Sequence, residues 1–276
     1  MTSFWDNLKW RYQRGTIVVR LIYINAAVFL FQALWVTFCR LLGVNAGLWL
    51  LWLEMPAEGA AFLSRPWSLF SYMFMHSSLM HLFFNMLWLY IFGQIFLQKS
   101  NERHLLTVYL GGGVLGGLFY LAGYLLIPYF RPYASSALLS GASAAVLSVT
   151  LAAALHRPEE ELSLVFLGRL KMKWLAVIMI VVDILSLTGS NAGGSLAHLG
   201  GAVFGILAGL RLRRPPRKKQ KYHRSTSERT VDIDQAFRDS RREQEERRDA
   251  ILDKIKVSGY DSLTAEEKKV LFDSGK

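Results

Sequence analysis

The sequence of 276 residues contains a single cysteine, Cys39. One cysteine cannot form a disulfide within the chain, so the protein is not a small fold held together by disulfide bonds. One cysteine also cannot supply the ligands of a four-cysteine zinc site. Cys39 lies within a long apolar run, and we predict that it is inert.

Charged residues are scarce over most of the chain. Residues 1–210 contain 13 Lys and Arg and 8 Asp and Glu, which makes 21 charged positions in 210. Residues 211–276 contain 19 and 13, which makes 32 charged positions in 66. Because soluble domains average about 25% charged residues, the first part is too poor in charge and the tail is unusually rich. This contrast excludes a single soluble globular domain.

Six apolar runs follow one another within residues 1–210. A transmembrane helix needs about 20 mostly apolar residues, and although the last two runs are short, few charges interrupt the series. We therefore predict six membrane-spanning helices. The first run is too long for a cleavable signal peptide, and no A-x-A-like cleavage site follows it. The runs are Val18–Leu42, Leu79–Leu97, Leu105–Ile127, Ala137–Leu155, Trp174–Leu187 and Leu196–Leu210.

Positive charges are concentrated at alternate ends of these runs. Lys and Arg cluster before the first run and after the second, fourth and sixth runs, whereas the other loops contain one arginine or none. The positive-inside rule then places both termini in the cytoplasm. We predict a cytoplasmic N-terminus at 1–17, a six-helix domain at 18–210, a basic linker at 211–227 and a cytoplasmic helical tail at 228–276.

The first outer loop, residues 43–75, is unusually long and rich in aromatic residues. Aromatic side chains beside charged ones are typical of the membrane interface. We predict a partly helical segment that lies in the outer leaflet, with a plain extracellular loop as the alternative. The residues concerned are Trp49, Trp52, Phe62 and Trp67, together with Glu54 and Glu58.

Polar residues within the apolar runs mark the candidate site, because an ionisable group inside a membrane span is costly and indicates function. The second run contains His81 and Asn85, which are four residues apart and share one helix face. His76 precedes them, and we predict that it lies at the outer mouth of the site. The other candidates are Ser143 in the fourth run, Asp183 in the fifth and His198 in the sixth.

The depth of these residues can be compared from the helical rise of about 1.5 Å per residue. Ser143, His198 and Asn85 each lie about 20 Å from the nearest inner-side charge, which is about 10 Å below the outer surface of a core about 30 Å thick. Asp183 is only ten residues from Lys173, or about 15 Å. We therefore predict one polar cluster open to the outside, with Asp183 too deep to join it and serving as a structural polar group.

The cluster contains the groups that acyl transfer requires. A serine hydroxyl is a weak nucleophile that needs a base, and histidine is the usual base near neutral pH. Gly141 allows the backbone to turn before Ser143, which places the serine at a helix start where free N–H groups favour an oxyanion. We predict no metal site, because the Ser143–His198 pair already accounts for the histidines, although His76, His81 and His198 are possible metal ligands by type.

Three stretches in order resemble the motifs of the rhomboid family. The run FMHSSLMHLFFN at residues 74–85 resembles the family's second-helix motif. GASA at 141–144 resembles its G-x-S-x serine motif, and AHLGGAVFG at 197–205 resembles its A-H-x-G-G-x-x-x-G sixth helix. The resemblance covers about Val18 to Leu210.

The resemblance implies an all-α polytopic membrane protein, a six-transmembrane-helix bundle with a small α-helical cytoplasmic tail, in a bacterial inner (plasma) membrane. It implies a serine endopeptidase that uses no cofactor and cleaves transmembrane helices of membrane-protein substrates near their outer end. The loop 188–195 would cap the site and the fifth helix would flank the substrate's access route. The implied catalytic pair is Ser143 as nucleophile and His198 as base, a dyad without a third acid. The implied oxyanion donors are His81, Asn85 and the Ser143 N–H, and the implied motif glycines are Gly141 and Gly201.

Three positions depart from the family pattern. Ser68 stands where an arginine is frequent, Ala144 where glycine is common, and Leu147 where many members carry a tyrosine against the catalytic histidine. None of these changes removes a member of the dyad. The alternative function is a catalytically inactive rhomboid-like protein that binds transmembrane clients; a transporter fits less well, because its site would lie near the midplane and on repeats.

The tail, residues 211–276, is much richer in charged residues than the rest of the chain. The basic run of residues 211–224 is predicted to lie near anionic lipid headgroups, so we expect membrane lipids rather than nucleic acid as partners. Residues 228–250 alternate in charge, which predicts a solvated helix. Thr264 with Glu267 predicts a capping box for a second short helix. This pattern resembles a helical-hairpin module found in some bacterial rhomboids.

Overall fold

The computed structural model describes residues 4–45, 50–164, 168–213 and 227–273. The chain divides into two compact units, Met1–Pro215 and Pro216–Lys276. Trp49 of the outer loop and most of the predicted basic linker lie outside the described residues.

The first unit consists mainly of helices, as the all-α polytopic class predicts. Within the part of the chain that the structure describes, four helices, α2, α5, α6 and α9 in the list that follows, are long and apolar enough to cross a membrane. The helices are α1 (Phe4–Arg14), α2 (Ile17–Leu41), α3 (Gly59–Ser64), α4 (Ser68–Ser71), α5 (Leu79–Leu97), α6 (Glu102–Leu126), α7 (Ser143–His156), α8 (Met172–Leu185) and α9 (Ala192–Arg213).

Helices α7 and α8 are both short, and α7 is also shorter than the 19-residue run that predicted it. Each has 14 residues, or about 21 Å at the helical rise, against a membrane core of about 30 Å. The fourth run was predicted from Ala137, but its helix begins at Ser143. The difference arises because the preceding residues form a strand and a turn that leave the helical conformation.

Helix α7 is the centre of the bundle, since every residue from Ala144 to Ala154 is buried. Its neighbours α6 and α9 approach it through glycines. A Cβ atom at Gly201 of α9 would lie 2.2 Å from the carbonyl oxygen of Ala144, which no side chain could tolerate without moving the helices apart. Small residues allow such close packing between apolar helices. The approach fixes the spacing between α7 and α9.

Two contacts hold the segment that leads into α7. Strand β1 (Met55–Pro56) pairs antiparallel with β2 (Leu138–Leu139). The N–H of Gly141 donates to the carbonyl of Tyr72 at 2.9 Å, and the hydroxyl of buried Tyr72 donates to the carbonyl of Gly113 at 2.6 Å. The outer loop is thereby tied both to α6 and to the turn before Ser143.

The outer loop is partly helical, as predicted, because it contains α3 and α4. Its two described tryptophans stack on each other. The rings of Trp52 and Trp67 lie 5.8 Å apart and nearly parallel, and the indole N–H of Trp67 donates to the carbonyl of Trp52 at 2.9 Å. About half of each side chain is exposed. The position of this loop in a leaflet stays a prediction.

A hairpin that the sequence did not predict separates α7 from α8. Strand β3 (Glu161–Leu164) pairs antiparallel with β4 (Gly168–Lys171). Beside it, the carboxylate of Glu159 accepts hydrogen bonds from Lys173 and Lys171. These two ammonium groups lower the pKa of Glu159 to about 2. The hairpin and its ion pairs fix where α8 begins.

The second unit is a pair of helices, α10 (Ser227–Ser258) and α11 (Ala265–Asp273). The predicted capping box is confirmed: the N–H of Thr264 donates to Glu267 at 2.7 Å, and the N–H of Glu267 donates to the Thr264 hydroxyl at 3.3 Å. Lys254 of α10 donates to both carboxylate oxygens of Glu267, at 2.8 and 2.9 Å. One side chain therefore both caps α11 and joins the two helices.

We predict that Glu267→Gln loosens α11. The Lys254 ammonium and the Thr264 N–H lower the pKa of the Glu267 carboxyl to about 2. Because this pKa lies below the value near 4.3 of an unfolded glutamate, the carboxylate stabilises the tail fully above about pH 4.3 and loses this effect as the pH falls toward 2. Amide hydrogen exchange across α11 of the full chain should accelerate in Glu267→Gln at pH 7. Glu266→Gln, which lacks these bonds, is the control, and equal exchange in both variants would contradict the prediction.

Candidate active site

Ser143 is the first residue of α7, as predicted. The preceding Gly141 has a φ of +128°, a backbone conformation that glycine adopts readily and other residues rarely do. Ala142, at the N-cap position, has no side-chain atom that could cap the helix. The first N–H groups of α7 therefore have no intrahelical partner, and they lie at the positive end of the helix dipole beside the Ser143 hydroxyl.

The structure brings Ser143 and His198 together. The Oγ atom of Ser143 lies 2.7 Å from Nε2 of His198, although the two residues are 55 positions apart and belong to α7 and α9. The His198 side chain retains 21% of its surface exposure. A hydroxyl in hydrogen-bond contact with an imidazole is the arrangement in which histidine can take the proton of an attacking serine.

Asp183 of α8 contacts the other side of the same imidazole. Its Oδ1 lies 2.7 Å from Nδ1 of His198, and its side chain is 14% exposed. The prediction that Asp183 lies too deep to reach the site was wrong. The depth comparison followed Cα positions along parallel helices, whereas side chains extend sideways and helices tilt by about 20° on average. The clue available from the sequence was the charge itself, since an aspartate within a span indicates a functional partner.

His81 reaches the turn before Ser143 because Gly141 has no side chain. A Cβ atom at Gly141 would lie 2.7 Å from Cε1 and 2.8 Å from Nε2 of His81. Nδ1 of His81 lies 3.1 Å from the hydroxyl of Ser77. A serine O–H that donates to Nδ1 would leave the proton on Nε2, which is the nitrogen next to the turn. The contact of Nδ1 with Ser77 thus orients the ring, and Nε2 lies at the turn that precedes Ser143.

Asn85 lies one helical turn below His81 and lines the same cavity. Its amide nitrogen donates one hydrogen bond, at 2.9 Å, to the carbonyl of His81. An asparagine amide carries two donor hydrogens, so the second is available to a group inside the cavity. The two side chains among the predicted oxyanion donors, His81 and Asn85, therefore line the site from the same helix.

His76 does not lie at the mouth of the site, which corrects the prediction. It is 1% exposed, and it does not line the cavity that contains Ser143. Its ring packs edge-on against His81 with the centroids 5.2 Å apart, and Nδ1 lies 3.2 Å from the carbonyl of Phe74. Helix α5 begins only at Leu79, and the chain before it places the His76 ring against the His81 ring, away from the cavity that contains Ser143.

Among the described residues, no group of three His, Cys, Asp or Glu side chains is arranged to hold a metal ion. This includes His76, His81 and His198, the possible ligands by residue type. The hydrogen-bond contacts of His198 with Ser143 and Asp183 engage both of its ring nitrogens.

The candidate residues surround one cavity of about 610 Å³. Ser143, His198, Asp183, His81 and Asn85 line its polar end. Apolar side chains of α5 and α8 line much of the rest, together with Val146 and Leu147 of α7. The apolar residues concerned are Met80, Phe84 and Trp88 from α5 and Ile178, Met179 and Val182 from α8.

A second cavity of about 810 Å³ adjoins the first. His81, Ser140, Asn191 and Gly194 line both cavities. Its remaining lining includes the segment from Thr188 to Gly194, which belongs to the loop that the rhomboid resemblance implies as a cap. The candidate site therefore lies next to a space that tyrosine, serine and glycine residues line in large part.

The positions that depart from the family pattern are all buried. Leu147 lines the first cavity, and its aliphatic side chain has no atom that could hydrogen-bond His198. Ala144 packs between α6 and α9, where its Cβ lies close to Gly116 and its carbonyl close to Gly201. Ser68 is buried in α4, and nothing in the structure assigns it a role at the site.

We predict that Gly141→Ala displaces His81 and lowers the thermal midpoint of the protein in detergent. An added methyl group would overlap the His81 ring and would also meet an unfavourable backbone conformation, which costs about 1–3 kcal/mol. Gly168→Ala is the matched control, because Gly168 also has a positive φ, of +70°, but has no atom within 4 Å of an added Cβ. Equal midpoints for the two variants would contradict the contact between Gly141 and His81.

Comparison with known proteins assigns the family. A family model described as "Rhomboid domain" matches residues 63–215, which is 153 of the 276 residues. A family of unknown function (DUF6576) matches residues 231–273.

A curated relative, "RHOMBOID-like protein 12, mitochondrial" from Arabidopsis thaliana, is 32% identical over 151 residues, which cover 51% of this chain and 45% of the relative. The chain therefore matches less than half the length of that relative. Over the residues that carry the helical bundle and the Ser143–His198 pair, the chain belongs to the rhomboid family.

Proposed function

We propose that this protein is an intramembrane serine endopeptidase that cleaves transmembrane helices of membrane-protein substrates near their outer end. The observation that carries the proposal is the 2.7 Å contact between Oγ of Ser143 and Nε2 of His198, at an uncapped helix start within a rhomboid domain. An inactive rhomboid-like protein that only binds transmembrane clients would have no need of this contact.

The proposed reaction is acyl transfer through Ser143. As Oγ attacks the scissile carbonyl carbon, Nε2 of His198 takes the hydroxyl proton, and the carbonyl oxygen becomes an oxyanion. His198 then gives this proton to the leaving amine, the C–N bond breaks, and the substrate's N-terminal part remains as an ester on Ser143. Attack by a water molecule, deprotonated by His198, releases the acid and restores the serine.

The oxyanion would form beside three donors. They are the N–H of Ser143 at the start of α7, Nε2 of His81 and the free amide hydrogen of Asn85. Donors fixed before the reaction stabilise developing charge more than mobile water does, because they need no reorganisation. The positive end of the α7 dipole adds to this effect.

Hydrolysis inside a membrane requires a supply of water. The short length of α7, about 21 Å, supports a position of Ser143 about 9 Å below the outer surface if the helix ends at the inner one. The second cavity would then connect the site with the outside through Ser140 and Asn191. Non-helical backbone at such depth is tolerated where it is buried in protein or lines a water-filled cavity, which is how residues 137–142 are placed in this proposal.

The shape of the first cavity supports a helical substrate that enters sideways. Much of its apolar lining belongs to α5 and α8, and α8 buries only Met172 and Leu175 of its 14 residues. A helix attached so lightly could move aside for a transmembrane segment. The segment would have to unwind locally, because a carbonyl within a helix is not accessible to Ser143, and the rhomboid resemblance implies small residues at the cleavage site.

The membrane arrangement that goes with this proposal has six spans, with α7 and α8 as the two short ones. The basic loops then place residues 1–17, the linker 211–227 and the tail 228–276 in the cytoplasm. Membrane lipids are the expected surroundings, without nucleic acid or a cofactor. We keep a bacterial inner membrane as the predicted location, while the printed name of the Arabidopsis relative assigns that protein to mitochondria.

We predict that a fluorophosphonate probe labels Ser143 in detergent and that Ser143→Ala and His198→Ala both abolish labelling. The same variants should lower cleavage of a single-span model substrate in liposomes by about 10⁴-fold or more, since serine proteases lose activity on this scale without nucleophile or base. Ser148→Ala is the control on the same helix, because its hydroxyl bonds Val108 outside the site. Labelling and cleavage that survive in Ser143→Ala would refute the protease, and a folded wild type without either would favour the inactive binder.

We predict that His81→Ala and Asn85→Ala each lower kcat by about 10–10²-fold. Loss of one oxyanion donor costs about 10²–10³ in a soluble serine protease, and here three donors share the charge. Asn85→Asp, which keeps the shape but replaces the donor with a negative charge, should be slower than Asn85→Ala. Phe83→Ala, at an exposed position of α5, is the control for the helix. Wild-type rates in the first two variants would remove these residues from the mechanism.

A further inference from the structure

Asp183 takes no part in the reaction described above, although its carboxylate contacts His198, the proposed base. It is the only Asp or Glu within the six apolar runs of the sequence. A carboxylate inside a membrane span is costly unless a partner compensates it. Its contact with Nδ1 of His198 at 2.7 Å is as short as the contact of Ser143 with Nε2.

With Asp183 ionised, these two contacts determine which ring nitrogen of His198 carries the proton. An ionised carboxylate can only accept hydrogen bonds, and a neutral imidazole has one donor and one acceptor nitrogen. Nδ1 must therefore donate to Asp183, which leaves Nε2 as the acceptor. The Ser143 hydroxyl then has to donate to Nε2, and this is the direction in which the serine proton moves when Oγ attacks.

We infer that Asp183 is a positioning residue that completes a Ser143–His198–Asp183 triad. It holds His198 in the tautomer with the proton on Nδ1, and it stabilises the imidazolium that forms when Nε2 takes the serine proton. No proton passes to Asp183 in this scheme. The inference rests on the proposed protease function and adds a residue to its mechanism.

The other residues around the cavity show why Asp183 is the group that positions His198. Among the described residues that line the cavity, the only other titratable side chain besides His198 is His81 from α5, which presents its Nε2 toward the turn at Gly141. Leu147, on α7 beside the serine, cannot form a hydrogen bond. The carboxylate of Asp183 is thus the charged acceptor in the cavity for the hydrogen bond that Nδ1 of His198 donates.

A purely structural role for Asp183 has to be separated from this one. Helix α8 buries Met172 and Leu175 near its start, so the bond to His198 also ties its far end to α9. A tether would affect stability and substrate binding, whereas a positioning residue affects the chemical step and the tautomer of His198. The decisive readouts are therefore kcat against KM and the protonation of the ring nitrogens.

The kinetic test compares Asp183→Asn with wild type in liposomes. We expect kcat to fall by about 10²–10⁴-fold, on the scale known for the corresponding change in a soluble triad, with KM changed less than about 3-fold and the thermal midpoint nearly unchanged. Asp183→Glu, which keeps the charge, should recover part of the loss. Ile184→Ala, an exposed neighbour on α8, is the control. An unchanged kcat in Asp183→Asn, or a loss matched by a lower midpoint and not recovered by Glu, would overturn the inference.

The second test does not depend on activity. Nitrogen-15 NMR of histidine-labelled protein in the Ser143→Ala background reports the tautomer of His198 after the serine partner has been removed, with His198→Gln for assignment. We expect a protonated Nδ1 and an unprotonated Nε2, and a mixture of tautomers when Asp183→Asn is added. The same tautomer in both proteins would overturn the inference even if wild type cleaves its substrate. Failure of wild type to react with fluorophosphonate would instead overturn the protease proposal, and the NMR result would still decide the Asp183–His198 bond.

Discussion

The close approach of α7 and α9 is the constraint on which the site depends. At Gly201 the backbone of α9 lies against the Ala144 carbonyl with no room for a side chain. On α9, His198 lies three residues before Gly201, and on α7, Ser143 lies one residue before Ala144. The side chains of His198 and Ser143 meet at 2.7 Å. Between apolar helices in lipid there is little hydrophobic driving force, so packing at glycines has to hold such a distance.

The second requirement is a polar site inside an apolar bundle. The turn before Ser143 stays non-helical because β1 pairs with β2 and Tyr72 accepts the N–H of Gly141. This arrangement leaves the N–H groups at the start of α7 without a capping side chain and lets His81 reach the turn. The irregular segment is thus both the reason why α7 is short and the source of the donors around the serine.

Asp183 adds a hydrogen-bond contact to the interactions that hold the His198 ring in place. Resemblance to rhomboids implies a dyad, with a tyrosine at position 147 in many members, and here that position is a leucine. The structure places a carboxylate at Nδ1 instead. A hydrogen bond that an imidazole donates to a fixed acceptor restricts both the rotation and the tautomer of the ring, whereas an apolar side chain restricts only its rotation. Because α8 buries only two of its residues, the same bond links His198 to the helix that the proposed function places beside the substrate's access route.

The sequence by itself determined the helical class, the apolar runs from which α2, α5, α6 and α9 form, the glycine turn that brings Ser143 to a helix start, and the capping box at Thr264, and it singled out Ser143 and His198 as a pair. Each of these follows from local pattern: apolar length, a glycine before a serine, a spacing of three residues, or a motif in a fixed order. Only the tertiary structure decided that Asp183 joins the site, that His76 lies behind His81, and that a hairpin precedes α8. These outcomes depend on side-chain direction, helix tilt and the path of irregular chain segments. A count of residues along a helix axis contains none of that information.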